Sequence, residues 1–426
     1  MLDLKYIKEH KALVEENIKN RFMTADVEKT LELNEQRISL QQKADDARKL
    51  RNENAAKMKG PLSQEERTPL IEEGKRLKDE IAELEAELEN VKVSLAEAHM
   101  RIPNMAHPDA PVGKEEKDNL EVARYGSIPE FGFKAKDHVE LAQALDLIDF
   151  ETGAKVSGTK FYYLKNQAVM LEFGLTRFAL DLLSKKGFTP MITPDIAREE
   201  VVEGIGFNPR GEESNIYALE GTGTCLVGTA EITLGGYHSG EILDASRLPL
   251  KYAGVSHCFR REAGASGQYS KGLYRVHQFT KIEMFIYCLP EDSEKIHQEL
   301  KDLEVELFTS LGIPFRVVDT CTGDLGAPAY RKYDLEAWMP GRGDNGDWGE
   351  ITSTSNCTDY QSRRLGVRYR NEEGRTEFVH MLNGTAIAIS RAIIAVLENC
   401  QQEDGSIKIP KALVPYCGFD TIPAKS

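Results

Sequence analysis

Arg260 and Glu262 stand two residues apart, and Arg275, Phe279 and Glu283 follow at intervals of four, in two alternating runs flanking Gly264-Ala265-Ser266-Gly267. Alternation on either side of a glycine-bearing turn predicts an antiparallel hairpin. A strand turns successive side chains to opposite faces, so each set falls on one face. Two arginines, two carboxylates and an aromatic ring could together hold a polyphosphate, a flat base and a cationic amine. The competing explanation is a solvated hairpin face carrying charge for solubility, and the pattern alone favours it.

The rest of the chain decides what such a face would serve. Its 426 residues suffice for two domains, one with a large core. A hydrophobic content of 41% and a charged content of 29% are those of a folded, soluble protein. The formal charge of −15 argues against nucleic-acid binding driven by total charge, so any RNA contact must come from a local basic surface. Seven dispersed cysteines without a Cys-x-x-Cys pair predict reduced thiols and a cytoplasmic protein. No histidine falls in a zinc motif. The start, Met1 to His10, is charged and lacks the apolar core of a signal peptide, and no run is long enough to span a membrane.

Two regions of different character must position the hairpin. From about residue 27 to 100 the chain is nearly free of Gly and Pro. Leu77, Ile81, Leu84, Leu88, Val91 and Leu95 repeat at 4-3-4-3-4, a coiled-coil seam. A weaker stripe runs through Val27, Leu31, Ile38 and Leu50, and Gly60-Pro61 separates the two. The pattern predicts two helices, each roughly 45 Å long, folded back as an antiparallel hairpin. Basic residues (Arg37, Lys43, Arg48, Lys49, Arg51, Lys57 and Lys59) gather on the first helix and its tip, whereas glutamates dominate the second. A charge run is usually a solvated face, and a purely dimerising coiled coil fits the periodicity equally well.

Pro- and Gly-bearing segments then mark a change of domain: Ile102-Pro103-Asn104, His107-Pro108-Asp109-Ala110-Pro111 and Gly126-Ser127-Ile128-Pro129. The expected organisation is a helical arm at 1–105, a linker at 106–125 and a second domain at 126–426. The latter alternates amphipathic helices with short strands. One helix, at about 167–186, leads into Thr189-Pro190-Met191-Ile192-Thr193-Pro194, whose prolines suit a sheet edge.

Phe259-Arg260-Arg261-Glu262 followed by Arg275-Val276-His277-Gln278-Phe279-Thr280-Lys281-Ile282-Glu283 resembles motif 2 of the class II aminoacyl-tRNA synthetases, and more narrowly the seryl-tRNA synthetases. The 167–194 segment resembles motif 1, and Asn383-Gly384-Thr385 through Arg391-Ala392-Ile393-Ile394 resembles motif 3. The resemblance extends from the arm to the Pro410–Tyr416 tail. It implies an α+β fold: an antiparallel helical coiled-coil arm, then a catalytic domain with a mainly antiparallel sheet flanked by helices. It also implies a homodimer paired through motif 1.

The implied activity is ATP-dependent activation of L-serine to seryl-adenylate and transfer to tRNA(Ser), with tRNA(Sec) as a second acceptor. By the resemblance, Thr229-Ala230-Glu231 reads the amino acid, its carboxylate taking the ammonium, and Glu283, Asn383 and Thr385 complete the serine site. A hydroxyl-reading pocket rejects alanine by leaving polar groups unpaired. Arg260 contacts the α-phosphate and the serine carboxylate, and Glu262 the adenine amino group or its surroundings. Phe279 and Arg391 sandwich the base, with Arg261 and Val276 also at the nucleotide. Arg260, Glu262 and Arg391 are thus the expected catalytic groups.

Glu350-Ile351-Thr352-Ser353 completes the ATP site, with Glu350 and Ser353 as ligands of a magnesium ion bridging phosphates. Their spacing of three does not share one face of a regular strand. Either the strand ends, or it bulges, or one contact runs through water. A zinc-dependent branch of the family uses cysteine ligands; Cys225 and Cys258 lie nearby, but Thr229-Ala230-Glu231 resembles the zinc-free type. The segment Ser266–Lys271 and the alanines Ala386 and Ala388 depart from the usual pattern. Two alternatives remain at this stage: a synthetase-like ligase loading a carrier protein, and a non-catalytic RNA-binding paralogue.

Overall fold

A computed structural model describes residues 1–209, 214–263 and 271–425. The chain divides into two compact units, Met1–Met105 and Ala106–Ser426.

In the first unit two long helices, α1 (Val27–Lys57) and α2 (Gln64–Met100), run antiparallel: Asn54 meets Leu70 while Arg48 meets Glu85. Asp26 caps α1 through the Lys29 amide, and Ser63 with Glu66 forms a capping box on α2, so orphan amide donors are satisfied at both starts. Leu77, Ile81, Leu88 and Leu95 are buried as their spacing predicts, with Leu84 and Val91 half-buried. The stripe on α1 differs from expectation. Ile38 and Leu50 are each 52% exposed; the buried positions are Val27, Thr30, Leu40, Ala44, Ala47 and Asn54. Two of these buried positions are alanines, which a count of large apolar residues does not register. Asn54 Nδ2 donates to the Leu70 carbonyl at 2.7 Å, in space left by Gly74. A smaller cluster of Leu2, Ile7, Val14, Ile18 and Ile102 closes the base of this unit.

The second unit is built on an eight-stranded sheet: β1 (Leu120–Tyr125), β2 (Thr189–Ile192), β3 (Leu250–Phe259), β4 (Gln278–Cys288), β5 (Phe315–Asp319), β6 (Arg331–Met339), β7 (Asp347–Asn356) and β8 (His380–Ala388). Their order is β1-β5-β6-β7-β8-β4-β3-β2. Every pairing is antiparallel except β2 with β3, which places the proline-bearing strand at an edge. The segment expected as linker, 106–125, ends in β1, which pairs with β5, so its last six residues belong to the sheet.

Helices α3 (Gln167–Lys185), α4 (Ser293–Leu311) and α5 (Ile389–Asn399) bury their apolar stripes in one large core with the sheet. Strand β4 shows how the sheet sorts its residues. Ile282, Met284 and Ile286 enter that core, whereas Phe285 and Tyr287 pack in a second cluster on the other face. Along that second face, towards the start of β4, Phe279, Lys281 and Glu283 line a cavity instead.

The predicted hairpin pairs as expected, but its strands are bounded more tightly than the alternation suggested. β3 ends at Phe259 and β4 begins at Gln278, so Arg260, Glu262 and Arg275 lie on the connection and not on strands. The backbone leaves the sheet because another segment takes its hydrogen bonds: Phe259 N–H donates to Val227 and Arg261 N–H to Asn215. Glu262 then turns with φ 50°, outside the extended region. The expected turn residues, Gly264-Ala265-Ser266-Gly267, lie outside the described residues.

Candidate active site

Three neighbouring strands, β7, β8 and β4, present one polar face to a cavity of about 430 Å³. Period-two alternation supplies Phe279, Lys281 and Glu283 from β4 and Asn383 and Thr385 from β8. Strand β7 solves the spacing problem of Glu350 and Ser353 with a β-bulge. Glu350 pairs with Glu336 and Thr352 with Leu335, which leaves Ile351 as the extra residue. The bulge brings Glu350 and Ser353 to the same face.

The connection from β3 to β4 forms another wall. Arg260 Nε donates to the Gly228 carbonyl at 3.2 Å, and its guanidinium lies 5.2 Å from the Phe279 ring centroid. Arg275 reaches Glu262 at 3.4 Å. Arg391, in the first turn of α5, donates through Nη1 to both the Glu350 carbonyl and its Oε1 at 2.9 Å. Burial favours the neutral carboxyl of Glu350, but Arg391, Lys332 and Arg260 outweigh it and hold the group below the usual carboxylate range. Behind it, burial pushes the Asp334 carboxyl up to about 7 despite nearby Lys332.

The remaining wall collects acceptors. Thr229 caps a short helix, Ala230–Gly236, by accepting from the Glu231 amide at 3.2 Å. Ala230 itself packs in the apolar cluster beneath. Glu231 Oε1 accepts from Gln361 at 2.8 Å and from Asn383 at 3.0 Å. Burial and then the charge of Glu283 push the Glu231 carboxyl up to about 7, against those hydrogen bonds. Lys281 Nζ meets Glu283 Oε2 at 2.5 Å.

Of the expected residues, Thr229, Glu231, Arg260, Glu262, Val276, Phe279, Glu283, Glu350, Ile351, Thr352, Ser353, Asn383, Thr385 and Arg391 all line this one cavity. Arg261 is exposed, outside the lining. Sequence reasoning passed over Lys281, Tyr274 and the segment 325–329. Lys281 was detectable, having the same parity as Phe279 and Glu283. The guanidiniums of Arg342 and Arg391 both lie over the Tyr274 ring, at 4.5 and 4.6 Å from its centroid, and nothing in its sequence context announces that. The 325–329 segment closes against Gly206, where a Cβ would stand 2.5 Å from Pro328, so the approach requires glycine.

Comparison with known proteins agrees with this geometry. Residues 219–400 match the profile of the tRNA synthetase class II core domain (G, H, P, S and T), and residues 1–106 match the seryl-tRNA synthetase N-terminal domain. The serine–tRNA ligase of Treponema denticola is 65% identical over 422 residues, covering 99% of this chain and all of that one. The chain belongs to the seryl-tRNA synthetases. The serine–tRNA ligase of Borrelia recurrentis is 57% identical over the full length of both proteins. Among solved structures, the seryl-tRNA synthetase of Pyrococcus horikoshii complexed with ATP superposes with a TM-score of 0.89 at 41% identity, covering 100% of both chains. The cytoplasmic serine–tRNA ligase of Naegleria fowleri in complex with AMP has a TM-score of 0.85 at 32% identity, covering 100% of this chain and 99% of that one.

Proposed function

We infer that this chain is a serine–tRNA ligase, activating L-serine with ATP and transferring it to tRNA(Ser). The observation that carries the reading is the single cavity in which Glu231, Glu283 and Thr385 face the same space as Arg260, Phe279 and Arg391. One part suits an ammonium and a hydroxyl, the other a phosphate chain and a base.

Arg260 draws the serine carboxylate and the α-phosphate together and stabilises the charge that grows as they react. A carboxylate oxygen bonds to the α-phosphorus as the bond to pyrophosphate breaks, leaving seryl-adenylate. The terminal adenosine hydroxyl of tRNA then adds to the adenylate carbonyl, and AMP departs. Glu231 receives the substrate ammonium, whose charge favours the ionised carboxylate, and Glu283 with Thr385 receives the hydroxyl. Glu262 reads the adenine edge, and Phe279 and Arg391 flank its ring.

Glu350 and Ser353 fit a hard cation: both offer oxygen, they share a face through the bulge, and neighbouring cations keep Glu350 ionised. Mg²⁺ is usually bound by one or two protein oxygens together with substrate phosphates and water, which is the number of protein groups proposed here. Such an ion would neutralise phosphate charge.

Exposed apolar side chains on the motif 1 elements, Phe173 at 64% and Ile192 at 90%, support a homodimer through that face. Lys43, Lys49, Arg51, Lys57 and Lys59 are exposed on the arm and support its role in gripping tRNA(Ser) by phosphate contacts. tRNA(Sec) is proposed as a further acceptor and the cytoplasm as the compartment; no helix among the described residues is long and apolar enough to cross a membrane. The match of residues 1–106 to the seryl-type arm disfavours the carrier-protein ligase, and Arg260, Glu283 and Arg391, all retained in the cavity, disfavour the non-catalytic paralogue. Serine-dependent ATP–pyrophosphate exchange followed by charging of tRNA(Ser) tests the reading. Exchange without charging would return the carrier-protein ligase, and no exchange with any amino acid would end the enzymatic claim.

A further inference from the structure

One buried cation in the cavity has no part in the steps above. Lys281 is 6% exposed, on the same face of β4 as Glu283, which is 1% exposed. A buried ammonium is costly unless it is paired and hydrogen-bonded. Lys281 meets both conditions: Nζ contacts Glu283 Oε2 at 2.5 Å and donates to Thr385 Oγ1 at 3.3 Å. An ammonium has no acceptor, so the directions follow. Thr385 accepts from Lys281 and donates its own hydroxyl hydrogen bond to Glu283 Oε2, at 3.4 Å. Both donors converge on Oε2, which leaves Glu283 Oε1 to accept from whatever enters the cavity.

Charge around this group is nearly balanced. Glu231 and Glu283 are the carboxylates on the cavity wall beside Lys281, and Arg260 stands on the wall by Gly228 and Phe279. Glu304, behind Gly384, is driven towards its neutral form by burial. Once a bound ammonium ionises Glu231, two carboxylates and one lysine leave one negative charge, enough for that one ammonium. We propose that Lys281 is a specificity-determining residue: by neutralising Glu283 it makes the pocket read a neutral β-hydroxyl and excludes an amino acid with a second ammonium at that carbon. This deepens the serine-activating reading and rests on it.

The competitor so excluded is L-2,3-diaminopropionate, which differs from serine only by an ammonium in place of the hydroxyl. Shape alone discriminates weakly between near-isosteres. A buried like charge rejects the diamine, a repulsive device of the kind specificity commonly uses. Without Lys281 the Glu283 carboxylate would stand unpaired and favour the cationic substrate.

The test is amino-acid-dependent ATP–pyrophosphate exchange by the full chain on the acid side of neutrality, where the diamine carries both ammoniums despite their mutual repulsion, with L-serine and L-2,3-diaminopropionate as substrates. Lys281→Met should lower the serine-to-diaminopropionate ratio of kcat/KM by about 100-fold or more. Lys281→Arg should keep most of the selectivity. The Lys281→Met/Glu283→Gln double variant restores the charge balance; it should reject the diamine again and exchange serine faster than the product of the two single losses allows. Should Lys281→Met fail to fold, judged by circular dichroism and thermal melting, Lys281→Gln, which removes the charge but keeps a polar neighbour for Glu283, takes its place in the same comparison. Unchanged selectivity in Lys281→Met, or a double variant whose losses simply multiply, overturns the proposal. Failure of the unmodified chain to exchange serine would instead overturn the underlying function.

Discussion

The arm and the cavity both carry clusters of basic residues, but they use them in opposite ways. On the arm, Lys43, Lys49, Arg51, Lys57 and Lys59 are exposed, and Arg48 is held by Asp45 and Glu85 at the surface. Charges of that kind are screened by salt and contribute little to folding. In the cavity Arg260, Lys281 and Arg391 each meet a specific carbonyl, carboxylate or ring. The arm's charges should therefore act as a sum, and the cavity's as individuals.

The sharpest way to break that contrast is one substitution against several. Arg260→Ala should lower serine-dependent pyrophosphate exchange by about 10³-fold while leaving the melting temperature nearly unchanged, since it removes charge stabilisation from the transition state. Retained exchange would remove Arg260 from its assigned role. Changing Lys43, Lys49, Arg51 and Lys57 together to Gln should raise KM for tRNA by roughly 100-fold and flatten its salt dependence, with exchange untouched. If exchange fell too, the separation of duties between the units would be wrong.

Within the arm, the seam sets position against composition. Leu88→Ala should destabilise the helical unit by about 2–5 kcal/mol in chemical denaturation. Ile38→Ala, at an exposed site, should change it by less than about 0.5 kcal/mol. Equal effects would mean the buried stripe on α1 is misplaced.

A smaller effect concerns pH. Burial and Glu283 raise the Glu231 carboxyl to about 7, so in the free enzyme it is protonated below that value and ionised above. Serine's ammonium binds the ionised form. KM for serine should fall as pH rises through about 7, with a proton released on binding, measurable by calorimetry in buffers of different ionisation enthalpy. The folded free enzyme holds this proton more tightly than the unfolded chain does. The group's contribution to stability is therefore largest below the ordinary carboxylate value, declines as pH rises towards about 7, and is lost above it. Glu231→Gln should abolish the pH dependence of KM.

Much of this was legible from sequence because the cavity is lined largely by strands, where alternation reports the face directly. Phe279, Glu283, Asn383 and Thr385 reach the cavity by parity, and the seam leucines of α2 are buried by heptad spacing. The departures have physical causes. Ala44 and Ala47 were overlooked because a count of large apolar residues does not register them. Arg260, Glu262 and Arg275 were assigned to strands, but tertiary hydrogen bonds to Asn215 and Val227 lead the β3–β4 connection out of the sheet. Strand β1 hid in a stretch read as linker because it is an edge strand with mostly exposed side chains. Gln361 reaches Glu231 from a helix far along the chain, and no local pattern could foretell that meeting.

The extra residue at Ile351 makes the cavity sensitive to counting as well as to chemistry. A deletion of one residue between Glu350 and Ser353 would remove the phase shift and return the strand to plain alternation, with Glu350 and the serine on the same face by a spacing of two. An inserted residue would put them on opposite faces if the present bulge stayed and would shift every later pairing of β7 with β6 if it were lost, unless a second bulge formed. Change of length here would thus have an asymmetric outcome, shortening being better tolerated than lengthening by one. Libraries of point substitutions would never reveal it; a scan of single-codon insertions and deletions across β7 would.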